Sequence, residues 1–156
     1  MRELISSFER RFEDLHLRRA ELIRKTGEAE LYLRPPEAEP SMLPFSVGEF
    51  VVRSAAAVEQ MAGGITTRLW DDPFEWTLPE RMPTPQRVLD YLLEVEESRR
   101  RAFVIFKDDD ELKKTIPAPV ELRTLHDILL EALTNSERFY GQALATHQTA
   151  SKRKSA

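Results

Sequence analysis

Residues 124–143 read TLHDILLEALTNSERFYGQA. Apolar residues recur there at steps of three and four, from Leu125 through Ile128, Leu129 and Ala132 to Phe139 and Ala143. That spacing lines them along one face of an α-helix, and no period-two alternation competes with it. Thr124 stands just before the run as an N-cap, with Asp127 three residues on. The stretch predicts a long amphipathic helix.

Three more segments of the same kind follow from where proline falls. All ten prolines lie in Pro35–Pro44, Pro73–Pro85 and Pro117–Pro119. An internal proline removes a helix hydrogen bond and clashes with the preceding turn, so these stretches are loops and the segments between them are helices. Segment one, about residues 2–26, carries the stripe Met1, Ile5, Phe8, Phe12, Leu15 and Leu22, broken only by Arg19, with Gly27 as the expected C-cap. Segment two opens with Ser46 and Glu49 at capping-box spacing and Phe45 and Phe50 at hydrophobic-staple positions. Its inner face runs from Val47 to Ile65, and Gly63-Gly64 is expected to loosen its end. Segment three has Thr84 as N-cap and Pro85 in the first turn, then Val88, Leu92, Val95, Ala102 and Ile105 to about Phe106.

Four such stripes predict an all-α fold, a four-helix bundle with long connections and at least one crossover. The bundle is expected to occupy residues 1–147, with 148–156 as a disordered tail containing Lys152-Arg153-Lys154. Hydrophobic residues make up 41% and charged residues 32%, a balance that suits one packed domain. A net charge of −4 argues against nucleic acid as a partner, and the absence of cysteine excludes disulfides and thiolate metal sites. No apolar run approaches the roughly 20 residues of a membrane span, and the first residues lack a signal-peptide core. A cytoplasmic location is the expectation.

Enzymatic signatures are missing: there is no glycine-rich phosphate loop, no HExxH and no GxSxG. His16, His126 and His147 are scattered, and each is read as solvated. His126 lies about 180° round its helix from Asn135. The acidic run Asp108 to Glu111 lacks a calcium loop's glycine turn and reads as a solvated turn. Trp70, Phe74 and Trp76 sit in a proline-rich connection, read as cover for the core ahead of a partner contact. Arg99-Arg100-Arg101 fans over an arc of helix three and forms no single patch.

The run 124–142, with its TL, its leucines and Gly141-Gln142, resembles the last helix of the DinB/YfiT-like superfamily. Ser46-Val47-Gly48-Glu49-Phe50 is similar to the opening of that family's histidine-bearing second helix. Arg34-Pro35-Pro36 and Asp108 to Leu112 stand where such proteins have comparable loops, so the likeness covers about residues 1–145. The resemblance implies a homodimeric four-helix bundle holding a divalent metal, such as zinc or nickel, on three histidines; some members are thiol-dependent transferases or hydrolases. The three ligand positions correspond to Arg53, Asn135 and Phe139, none a histidine. A guanidinium and a phenyl ring offer no donor pair, and one amide oxygen is a poor anchor. No cofactor is therefore expected.

Two readings of the vacated centre follow. In one, Arg53, Glu131 and Asn135 line a pocket for a small anionic or carboxylate-bearing ligand. In the other, which is preferred, the same three form a helix-to-helix tie and Phe139 fills the space. A small-ligand-binding or protein-interaction homodimer without metal-dependent catalysis is the favoured function. The alternative is a transferase or hydrolase with a non-standard polar site or a carboxylate-bound metal.

Overall fold

A computed structural model describes residues 1–35 and 45–155. The proline-rich loop expected at Pro35–Pro44 lies, from residue 36 on, outside them. The protein is mostly helical: α1 (Glu3–Lys25), α2 (Val47–Thr67), α3 (Pro85–Phe103) and α4 (Leu125–Ser155). A two-stranded antiparallel hairpin, β1 (Thr115–Pro117) and β2 (Leu122–Thr124), pairs Ile116 with Arg123 just before α4. Three-residue strands are too short to show alternation, so the period argument has no hold on them.

The helix starts are local chemistry. Ser46 Oγ accepts from the Glu49 amide at 3.2 Å while the Glu49 carboxylate accepts from the Ser46 amide at 2.8 Å, a complete capping box. The staple rings Phe45 and Phe50 meet edge to face at 5.6 Å. Thr84 caps α3 through the Arg87 amide, and Thr124 accepts from the Asp127 amide at 3.1 Å.

Helix ends depart from expectation. Thr26, in extended conformation, closes α1, and Gly27 has φ −67°, so no left-handed cap forms there. The glycine pair does not loosen α2, which continues to Thr67 and ends at Arg68 in the left-handed region with φ 62°. Gly64 answers a packing need instead: a Cβ there would stand 2.4 Å from the Trp70 ring. α3 stops at Phe103, which leaves Ile105 44% exposed and turns Phe103 and Phe106 inward. Met1 is exposed, outside the stripe. α4 runs through Ser155, so residues 148–155, expected as a tail, continue the helix.

Contacts between named residues set the helix directions. α1 runs antiparallel to α3, with Phe12 against Phe103 and Arg2 reaching the Phe106 carbonyl. It runs parallel to α4, with Phe8 against His126 and Arg18 bound to Glu137. The start of α2 meets the chain just beyond α1, where the Gly48 amide donates to the Leu31 carbonyl. Tyr32 Oη then donates to the carbonyl of Met82, just before α3, so α2 and α3 begin at the same end. The order is up, down, down, up. The connection 68–84 must therefore return along the molecule, and it does so along α2: Trp70 covers Gly64, Trp76 Nε1 donates to Glu59, and Phe74 faces Arg53. This is the expected crossover. One apolar core unites the four helices, with Ile5, Leu15, Ile23, Val51, Ala55, Val88, Leu129 and Ala143 fully enclosed.

Candidate functional site

No hydrogen bond or salt bridge joins Arg53, Glu131 and Asn135 among the described residues. Arg53 is half-buried on the flank of α2, its guanidinium 4.4 Å from the centre of the Phe45 ring and 6.0 Å from that of Phe74. Glu131 is exposed and binds Arg123, which also holds Asp127 at 2.6 Å. Asn135 is half-buried, and no hydrogen bond joins it to either residue among those described. Phe139 is half-buried under the Arg138 guanidinium and does not fill a central space. The expected tie does not form among the described residues, and the reason is one of phase. One residue is 100° of helix, and the inward positions are Ser54, Ser136 and Tyr140, each one step beyond the residue singled out.

At the centre of the core stands Arg19 of α1, only 1% exposed. Its Nη1 donates to Ser136 Oγ at 2.8 Å and to Ser54 Oγ at 3.1 Å. The two serines also bond to each other's backbone: Ser54 Oγ donates to the Ser136 carbonyl at 2.8 Å, and Ser136 Oγ to the Ser54 carbonyl at 2.7 Å. Each hydroxyl therefore gives its single proton and accepts from the guanidinium. Small side chains let α2 and α4 approach closely enough for this exchange. Arg19 Nε is buried without a hydrogen-bond partner, and no carboxylate forms a salt bridge with it among the described residues. Burial draws its pKa down to about 10, with Glu96 and Tyr91 acting the other way, so it remains a cation at neutral pH.

A second polar cluster lies in the seam between α1 and α3. Glu96, Arg99 and His16 are all buried there. Glu96 accepts from Arg99 Nε at 3.3 Å and from Arg99 Nη2, and Arg100 Nε stands 3.4 Å away. His16, expected in solvent, has its ring enclosed and its Nδ1 without a partner. Burial pulls its pKa below the ordinary value; Arg19, Arg100 and Arg99 push the same way and Glu96 opposes them. Across the core, Tyr91 Oη donates to Glu59 at 2.5 Å, and burial and that carboxylate both raise the phenol's pKa. An open hollow of about 400 Å³ lies beside the seam.

The acidic run has a structural task. Asp109 accepts from the amides of Leu4 at 3.1 Å and Ile5 at 3.0 Å, and so caps α1 from a distance, since Arg2 makes no side-chain cap. Desolvation would raise its pKa, but these amides, the chain's amino terminus and Arg2 outweigh it and hold it low.

Among the described residues, no three His, Cys, Asp or Glu side chains converge where they could hold a metal. The central donors are two hydroxyls already bonded to a cation, a set that does not fit zinc or nickel. Arg19 was visible as the charge interrupting an apolar stripe; a cation at that phase is the signal of a buried polar centre. Ser54 and Ser136 carried no comparable signal, because small hydroxyls suit core and surface alike. No helix among the described residues is long and apolar enough to cross a membrane. No protein-family model, curated protein or solved structure matches the chain.

Proposed function

We propose that this chain is a DinB-like four-helix bundle in which an internal guanidinium stands where relatives of that type carry a metal, and that it acts as a homodimeric small-ligand-binding protein without metal-dependent catalysis. The observation carrying the reading is Arg19, buried and held by Ser54 and Ser136 where α1, α2 and α4 meet. A fixed positive charge repels a divalent cation at the same point, and each serine hydroxyl already turns a lone pair to the guanidinium. The spacing of Ser136 and Tyr140 on α4 repeats the four-residue interval of the expected ligand positions, one residue later. The homodimer rests on the sequence resemblance.

Elemental analysis of untagged protein, followed by thermal denaturation with zinc and with nickel, tests this. The expected result is less than stoichiometric metal and no rise in melting temperature with either ion. Stoichiometric metal retained through dialysis would overturn it. Sedimentation equilibrium reads the dimer separately.

A further inference from the structure

The connection 68–84 leaves an acidic, aromatic strip along the outside of α2. Phe74 is 52% and Trp76 45% exposed. Their turn is nevertheless held in place: Asp72 accepts from the Phe74 amide at 3.1 Å, and Trp76 Nε1 donates to Glu59 at 3.3 Å. Asp71, Asp72 and Glu75 from the same turn are exposed, and Glu59 is half-buried. None of these four carboxylates forms a salt bridge among the described residues. Glu59 is bound only by neutral donors, the Trp76 indole and the Tyr91 hydroxyl. Arg53 approaches the Phe74 ring at 6.0 Å, so a cation already uses this aromatic surface.

The complementary charge is at the end of α4. Beyond Glu137 the chain has no acidic residue, and Lys152-Arg153-Lys154 lies in the last turns of the helix. α4 also outruns its neighbour. Ser136 meets Arg19 six residues before α1 ends at Lys25, whereas α4 continues nineteen residues to Ser155. At 1.5 Å per residue the projection past α1 is about 20 Å. The contact of Ser54 with Ser136 sets the distance from this basic turn to the strip. Glu59 lies five residues down α2 from that contact, and Lys152 sixteen residues up α4 from it. Within one molecule the two are therefore about 30 Å apart along the bundle axis, several Debye lengths at physiological salt. Neither neutralises the other in a single chain.

We infer that a second copy of this chain brings them together: the basic end of each α4 lies on the Asp71–Trp76 strip of the other copy, in a two-fold dimer. Lysine and arginine suit an aromatic surface rimmed with carboxylates, because attraction to the ring faces adds to the ion pairs. Exposed tryptophan and phenylalanine within a charged rim also match the make-up of an interface centre. The inference rests on the homodimer reading above and names the contact that forms it.

Sedimentation equilibrium at low and at high salt is the test. Expected is a dimer with a Kd of roughly micromolar at low salt, weakened about tenfold or more at high salt. Reversing the end (Lys152→Glu, Arg153→Glu and Lys154→Glu) should give monomer. So should reversing the strip (Asp71→Lys, Asp72→Lys and Glu75→Lys), with circular dichroism showing the helices kept in both. Mixed in equal amounts, the two variants should dimerise again. The acidic end of one then meets the basic strip of the other, and the two unaltered surfaces still match. A dimer indifferent to salt and to both reversals, or a mixture that stays monomeric, overturns the inference and leaves the homodimer reading standing. A wild-type monomer at all concentrations overturns both. If that monomer still shifts its tryptophan emission with a synthetic peptide of residues 147–156, the strip belongs to another basic chain and not to a second copy.

Discussion

Arg19 raises the question of what a buried, unpaired cation does for a protein. Taking a guanidinium out of water costs several kcal/mol, and two hydroxyl contacts return only part of it. The two serines remain satisfied by each other's carbonyls if the arginine goes. Arg19→Met, similar in length and apolar, is therefore expected to leave stability unchanged or raise it by about 1–4 kcal/mol. Arg19→Ala, which opens a cavity, should lower it by about 2–4 kcal/mol. Urea denaturation of the two variants checks both signs. His16 gives a pH signature. The unfolded chain takes up the histidine proton near the ordinary value of about 6.5, but the folded chain only at lower pH, because burial and the three arginines outweigh Glu96. Stability is thus complete above that value and is lost as pH falls from it toward the folded pKa. Denaturation midpoints between pH 7 and 5 should fall more steeply in the wild type than in His16→Gln. The sequence reading failed at this scale, and by one residue: Arg53 for Ser54, Asn135 for Ser136, Phe139 for Tyr140. A stripe of mixed small and polar residues defines its own phase only to about 100°, the width of one step.

At the scale of elements, more was legible because caps are decided within four residues. Ser46, Thr84 and Thr124 each cap the helix that sequence spacing assigned to them. What spacing could not show was a cap delivered from far along the chain, as Asp109 delivers to α1, or a glycine kept for a neighbour's ring. The adjacent glycines of α2 separate these roles. A Cβ on Gly63 would meet only the Leu69 carbonyl at 3.4 Å, an ordinary contact, whereas on Gly64 it would enter the Trp70 ring. Gly63→Ala should stabilise by about 0.5–1 kcal/mol through helix propensity. Gly64→Ala should cost about 1–3 kcal/mol through overpacking and move the tryptophan emission as Trp70 is displaced. Thermal melts with fluorescence detection distinguish them.

For the whole molecule, the all-α class and four helices followed from period and proline, and the crossover followed from connections too long for simple hairpins. The packing order did not follow. It depends on which flank of α2 the connection 68–84 covers, and that is settled by Trp70, Phe74 and Trp76 against Gly64, Arg53 and Glu59, contacts with no sequence period. The same coverage explains why Arg53 was misplaced: it faces this connection, not the core.

The cap on α1 has one more consequence, in the order of synthesis. The amide of Ile5 waits for a carboxylate 104 residues further on, and the guanidinium of Arg19 for a hydroxyl 117 residues further on. Of the four helices, α1 is therefore made before the partners that complete it. Until the Asp109 turn has been made α1 lacks its carboxylate cap, and until α4 follows Arg19 lacks the Ser136 hydroxyl.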